Sequence, residues 1–274
     1  MISSIQAACT VVDPPRRSDT EVPSVLSFYR DLVEPFGCTV DKQLLQSGAN
    51  VSHRDLADEL ASHETMRDRA PGLIIVTYAL PDVHPFTAVA SHINMLFGGE
   101  AKSFSISGQG LAAPFSALRV VDTFQQSGRV SEALVAILEQ TTLPTRFPLV
   151  HDNQLVNSGV FLALDTRNGF KVDAIESFDN NSATIYRLSE LTAENFQETL
   201  LVLGPWVTFD AANLSEHLHR VAARSYCTSV WSQVASNWQT WQRQYRTVVL
   251  CDTEPRTGCS YLVVLGSPNE ELKG

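Results

Sequence analysis

Residues 72–139 read GLIIVTYALPDVHPFTAVASHINMLFGGEAKSFSISGQGLAAPFSALRVVDTFQQSGRVSEALVAILE. Within them, residues 73–78 form an apolar run enriched in β-branched side chains, the mark of a strand buried on both faces. Residues 85–97 have helical spacing and stop at Gly98-Gly99. Residues 103–107 predict a short strand. Residues 112–127 predict a helix with so few charges that most of its circumference must be buried, and Gly128 ends it. The last segment, up to Glu139, fits helix or strand. Strands alternating with helices predict an α/β fold built on a layered sheet.

The pattern continues on both sides. Residues 3–12 predict an opening strand that halts at Asp13-Pro14-Pro15. Residues 22–36 carry Val25, Leu26, Phe28, Tyr29, Leu32 and Val33 at helical spacing, closed by Pro35 and Gly37. Residues 52–69 predict an amphipathic helix with Ser52 as N-cap and Asp55 three residues on. After a turn-rich loop at 144–148, residues 157–165 predict a strand, Asn168-Gly169 a turn and residues 169–178 its partner strand. Residues 192–203 fit either state. Residues 213–224 (Leu214, Leu218, Val221, Ala222) and 228–244 predict helices, the second with Trp231, Trp238 and Trp241 on one face, as core or as a partner-binding stripe. Residues 247–252 and 260–266 predict strands around the turn Glu254-Pro255-Arg256-Thr257-Gly258, and the tail from Ser267 is polar and expected to fray.

The 274 residues are 44% hydrophobic and 18% charged, enough apolar surface for a sizeable core. The net charge of −10 argues against nucleic acid, whose phosphates need clustered Lys and Arg. An acidic carrier protein would need a local basic patch, for which Arg67/Arg69, Arg119/Arg129 and Arg243/Arg246 are the candidates; a solvated face is the simpler reading. Cys9, Cys38, Cys227, Cys251 and Cys259 form no CxxC pair and are odd in number, so neither a disulfide frame nor a metal site is expected, and no cofactor is implied. The apolar runs are strand-length, so the expectation is a soluble, cytoplasmic chain without a membrane span.

Five stretches carry a resemblance: APGLIIVTYALPD, FTAVASHINMLFGG, SFSISGQGLAAPFSALRVVDTFQQSG, NSGVFLALDTRNGFKVDAIES and YRTVVLCDTEPRTGCSYLVVLG. In their order they resemble the ketoacyl-ACP synthase III family of the thiolase-like fold, over most of residues 50–178 and more faintly over 245–266. The resemblance implies a layered α-β-α-β-α fold, with a ketosynthase-like half at 1–178 and an abbreviated, degenerate half at 179–274. In that family a cysteine nucleophile lies where residues 107–111 lie here. Counting back from Ala117-Leu118 puts it at Leu111; counting forward from Phe104 puts it at Gly110. Neither side chain can attack a thioester, because covalent catalysis needs an activated thiol, hydroxyl or amine. Strings like those that carry the family's histidine and asparagine are missing between 180 and 250. The helix start after Gly110 could still receive an anion or carbonyl oxygen.

Substitute chemistry has three candidates. Ser107 is the nearest hydroxyl, a nucleophile if a base adjoins it and otherwise a small residue in a buried strand. His84, on the loop after a buried strand, could form an acid–base pair with Asp82, or simply face water. Cys227 could replace the thiol in space, or be a buried structural cysteine. His151-Asp152-Asn153 reads as a turn rather than a site. His217 and His219, two apart on an expected helix, make a poor metal pair. Gln109, Phe104 and Phe115 are expected at a pocket or subunit interface. The resemblance implies a non-catalytic or non-classical subunit. Its partner would be an active ketosynthase III-like chain in a heterodimer, or itself in a homodimer, with acyl carrier protein or acyl-CoA as further partners and no nucleic acid, membrane or metal. The alternatives are a stand-alone acyltransferase or hydrolase with a rebuilt site, and an acyl-ligand-binding protein.

Overall fold

The computed structural model describes residues 1–17, 23–167, 169–193 and 196–267. The expected helix start at residue 22, the turn residue Asn168 and the polar tail after Ser267 lie outside them.

In chain order the first unit comprises β1 (Ser4–Val12), α1 (Pro23–Val33), α2 (Lys42–Ser47), α3 (His53–Ala61), β2 (Leu73–Thr77), α4 (Val89–Leu96), β3 (Lys102–Ile106), α5 (Ala113–Gln126), β4 (Ala133–Glu139), α6 (Pro148–His151) and β5 (Ser158–Asp165). The second comprises β6 (Phe170–Phe178), α7 (Asn181–Ala193), β7 (Thr199–Leu203), β8 (His217–Arg220), α8 (Ser229–Gln244), β9 (Thr247–Thr253) and β10 (Ser260–Gly266). Strand order is β3-β2-β4-β5-β1-β6-β10-β9-β7-β8. The order mirrors itself about β1–β6, and so do the directions. β2 is parallel to β3 and β4, as β7 is to β8 and β9. β5 is antiparallel to β4 and β1, as β10 is to β9 and β6. Among the described residues, the two sets of strands join through Ser4–Lys171 and Ile5–Phe170, with Val172 N–H donating to Ser3 O at 2.9 Å. The chain is therefore an internal repeat of two similar units. By strand order the change of unit falls between β5 and β6, and β6 pairs with β10 in the second unit and with β1 in the first.

Alternation along the strands sets the layers. On β2, Leu73 and Ile75 face a central core, while Ile74 and Val76 face an outer one. The outer core is closed by Leu56 and Leu60 of α3 and Ile93 of α4. The central core holds Phe115 and Leu118 of α5 against Val230, Trp231 and Val234 of α8. On β9, Val248 and Leu250 face this centre, and Val249 and Cys251 face a third core under Leu188 of α7. The result is the expected α-β-α-β-α layering, with α5 and α8 sandwiched in the middle.

Several expectations change. The strands at 157–165 and 169–178 are not partners: β1 lies between β5 and β6. The ambiguous segment before Glu139 is β4, buried at all seven positions. The helix expected at 213–224 is strand β8 at 217–220, pairing with Leu200–Leu203 of β7. The helix expected over 52–69 stops at Ala61, although the Ser52–Asp55 capping box is present as read. Trp231 and Trp241 are buried, which makes the tryptophan stripe chiefly core.

Candidate functional site

The head of α5 holds Gly110 and Leu111, where the resemblance leads one to expect a nucleophile. Gly110 opens a single 3-10 turn leading into α5 with φ +55°, a left-handed conformation that glycine adopts readily. The chain shows why no larger residue sits there. A Cβ built on Gly110 would run into the Glu254 carboxylate and the Arg256 guanidinium, and would lie 2.6 Å from the Tyr226 hydroxyl oxygen. All three come from the second unit. Glu254 follows β9 directly, and Tyr226 precedes α8.

Glu254 is the hub. Its Oε2 accepts the Leu111 N–H at 2.9 Å and the Tyr226 hydroxyl. Its Oε1 accepts the Arg256 Nε–H at 2.8 Å and the Arg256 N–H at 3.2 Å. The carboxylate thus bonds the 3-10 turn that leads into α5, where the helix dipole favours negative charge. Burial alone would push its pKa up, but the bonds from Arg256, Tyr226 and Leu111 outweigh burial and hold it below the ordinary value. Tyr226 is shifted upward by burial and by Glu254.

The repeat supplies a counterpart. Glu139, the last residue of β4, accepts the Tyr226 N–H at 2.6 Å and the Cys227 N–H at 2.5 Å, just before α8 begins. Each unit thus sends a glutamate from the end of its central strand to the head of the other unit's buried helix. Glu139 is fully buried, and burial pushes its carboxyl above the usual range.

The sequence candidates land as follows. Leu111 is buried in the central core. Ser107 is exposed just past β3, which is an edge strand and not the buried strand expected, and among the described residues its hydroxyl has no hydrogen-bonded partner. Asp82 does not pair with His84: its Oδ1 accepts the His53 N–H at 3.0 Å. Cys227 is buried, and burial, followed by Glu139, raises its thiol well above the ordinary value. A thiol so raised stays protonated and unreactive. Among the described residues no hydrogen bond links any two of Ser107, His84 and Cys227. Gln109 is exposed and accepts the Ser116 hydroxyl at 2.7 Å. Phe104 is exposed on β3, whereas Phe115 stacks in the core 5.1 Å from Trp231 and 5.4 Å from Tyr261. His151 and Asp152 are used locally, by Phe147 and Arg146. His217 and His219 sit on a strand and therefore on one face, but they bond Gln197 O and Gln233. Among the described residues no three metal-ligating side chains gather, and no helix is long and apolar enough to cross a membrane.

Two predictions arise here. Brief iodoacetamide treatment of the native protein at neutral pH is expected to label exposed Cys38 and to leave Cys227 unmodified; peptide mass mapping reads both, and early labelling of Cys227 would contradict its burial. The second concerns Asp252, on β9, which accepts Ser229 Oγ–H at 2.8 Å, Thr253 N–H at 2.9 Å and Trp206 N–H at 3.2 Å. Burial raises it from 3.8 to about 7. Between those values the folded chain keeps a proton that the unfolded chain releases, so this group makes stability fall as pH rises through that window. Asp252→Asn removes the titration. Urea unfolding at several pH values is expected to show the variant lacking a decline on the order of 4 kcal/mol that the parent undergoes; parallel profiles would refute the assignment.

Likeness to solved structures places the fold. No protein-family model and no curated protein matches this sequence. Solved structures do match: it has the thiolase-like condensing-enzyme fold, across nearly its whole length. OleA of Xanthomonas campestris, as the H285N variant with cerulenin, superposes with TM-score 0.61 at 13% identity, covering 96% of each chain. The tetronic acid condensing enzyme AbyA1 gives TM-score 0.61 at 14% identity, over 96% of this chain and 99% of that one. The 3-oxoacyl-(acyl carrier protein) synthase III FabH of Xanthomonas oryzae pv. oryzae gives 0.59 at 14%, over 96% and 98%. At such identities the likeness establishes architecture alone.

Glu254, Tyr226, Arg256 and Glu139 escaped the sequence reading. The available signal was positional: a glutamate at or just past the end of each of two strands with long apolar runs, in LVAILE and VVLCDTE.

Proposed function

We propose that this chain is a non-catalytic subunit of ketoacyl synthase III type that pairs with an active condensing enzyme in fatty acid, polyketide or other secondary-metabolite biosynthesis. One observation carries the reading: the Glu254 carboxylate fills the head of α5, in the space a side chain at position 110 would need. A nucleophile lost by drift alone would leave that place open. Here it holds a bonded acidic plug that stabilises the helix.

Support for pairing comes from the neighbouring surface. In the resembling family the strand–helix unit at 103–127 makes the dimer. Here, among the described residues, β3 is an edge strand of the sheet, and such an edge invites another chain. Phe104 on β3 is exposed, as are Met95 and Leu96 of α4, which packs beside it. Exposed apolar groups of this size suit an interface.

The test is co-expression with a Cys-His-Asn synthase encoded beside this chain. Co-purification, with synthase turnover that depends on this chain, is the expected result. A synthase that purifies alone and turns over fully would end the pairing reading. An acyl adduct on the isolated chain, seen by intact mass after incubation with acyl-CoA, would end the non-catalytic one.

A further inference from the structure

A cavity of about 370 Å³ opens on the outer side of the first unit, between α1, the start of α3, α4 and the loop after β2. That volume is in the range of small-molecule sites. Its walls are largely apolar and aromatic, with Phe28, Tyr29, Leu32, Tyr78, Pro85 and Val89. The rings already meet edge to face: Phe28 lies 5.9 Å from Tyr29 and 5.4 Å from Phe86, centroid to centroid. Thr87, Ser91 and Ser105 bring hydroxyls to the lining, and among the described residues none of these hydroxyls has a hydrogen-bonded partner.

The walls are fixed by bonds of their own, so the opening is preformed. The Tyr29 hydroxyl donates to Val83 O at 2.8 Å and Asp82 O at 3.2 Å, and the Gln140 amide donates to Pro81 O, which ties down the loop after β2. The Tyr78 ring rests 5.0 Å from the buried His53 ring. The loop after β7, the counterpart in the repeat, turns Val207, Phe209 and Ala211 into the third core. The loop after β2 instead leaves Phe86 66% exposed beside Phe28, which carries the aromatic wall outward.

The charge pattern selects among ligands, because an ion taken into an apolar cavity must find a counter-charge. Asp82 offers none to a cation: its Oδ1 accepts the His53 N–H at 3.0 Å and its Oδ2 is buried. A cation would also meet the start of α4, which lines the cavity without a side-chain cap and presents the positive end of the helix dipole. An anion would gain that end, worth about half a charge, against the whole charge of the Asp82 carboxylate in the same wall. No Lys or Arg is among the described residues lining the cavity, and His53 is no substitute, since it is buried and burial lowers its pKa. A neutral ligand escapes both conflicts. We infer that this cavity is a binding site for a neutral aromatic compound of one or two rings, its ring against Phe28 and Tyr78 and its oxygen among the hydroxyls of Thr87, Ser91 and Ser105. The inference is independent of the function proposed for the α5 head.

Calorimetric titration of the full chain with 2-acetylnaphthalene, 2-naphthoate and 2-naphthylmethylamine tests it, since the three probes share a ring system and differ in charge. The neutral ketone is expected to bind saturably and about ten-fold or more tightly than either ion. Phe28→Leu keeps the wall apolar but removes a ring, and is expected to weaken the ketone about three- to ten-fold. Ser91→Trp, at an exposed residue of the lining, is expected to abolish binding, and it carries the test if the Phe28 variant fails to fold. The inference is overturned if the ketone shows no saturable binding, if either ion binds as tightly, or if either folded variant binds the ketone like the parent.

Discussion

Glu254→Ala is expected to lower stability by about 2–4 kcal/mol, because it strips a buried hub of its acceptor and leaves the Tyr226 hydroxyl and the Leu111 N–H unpaired in the interior. Arg256 is half exposed and can turn to water, so most of the loss comes from the other two partners. The effect has a pH signature. The Glu254 carboxyl is held below its ordinary value of 4.5, so its contribution is fully present above that pH and is lost as pH falls through the lowered value. The gap between variant and parent should therefore be widest at neutral pH and shrink in acid. Urea denaturation at pH 7 and below pH 4 measures both ends. A gap that is small at pH 7, or that grows in acid, would remove Glu254 from its place at the centre of the structure.

Gly110→Cys, which puts a thiol at one of the two positions where the resemblance places the cysteine, is expected to destabilise the chain by roughly 2–5 kcal/mol and to gain no acyl transfer. Two costs add. A side chain at φ +55° is strained by about 1–2 kcal/mol, and forcing a Cβ into a filled site adds about 1–3 more. The new thiol would also sit between the Glu254 carboxylate, which disfavours the attacking thiolate, and the Arg256 guanidinium, which favours it, so the site gives no net activation. Chemical denaturation gives the stability, and intact mass after incubation with acyl-CoA gives the chemistry. An adduct on residue 110 in a variant as stable as the parent would mean that the head of α5 is an open site after all.

What could be read from the sequence was whatever rests on local period. The two-face burial of β2 shows in its unbroken apolar run, and α5 shows in its low charge. β4 did not resolve, because seven consecutive buried residues carry no period by which to tell strand from helix. β8 was misread because Leu214, Leu218, Val221 and Ala222 imitate a helical face. What fixes it as a strand is pairing with β7, a contact between distant segments that local spacing does not encode. The site was hidden for the same reason, more acutely. Within its own neighbourhood Glu254 is a turn residue before Pro255. Its role is set by Leu111 and Tyr226, far off in the chain. Likewise Asp82 has His84 two residues away, yet it serves His53 because the loop after β2 folds back onto the start of α3.

The crossed glutamates also bear on how the chain is made. As a ribosome extends it, α5 emerges early with the amide at its head unmet, and its cap lies 143 residues further along. The head of α8 waits for nothing, since Glu139 was synthesised 87 residues before Tyr226. Synthesis is thus asymmetric although the fold is not. The amide at the head of α5 is met only when Glu254 arrives, 143 residues after Leu111.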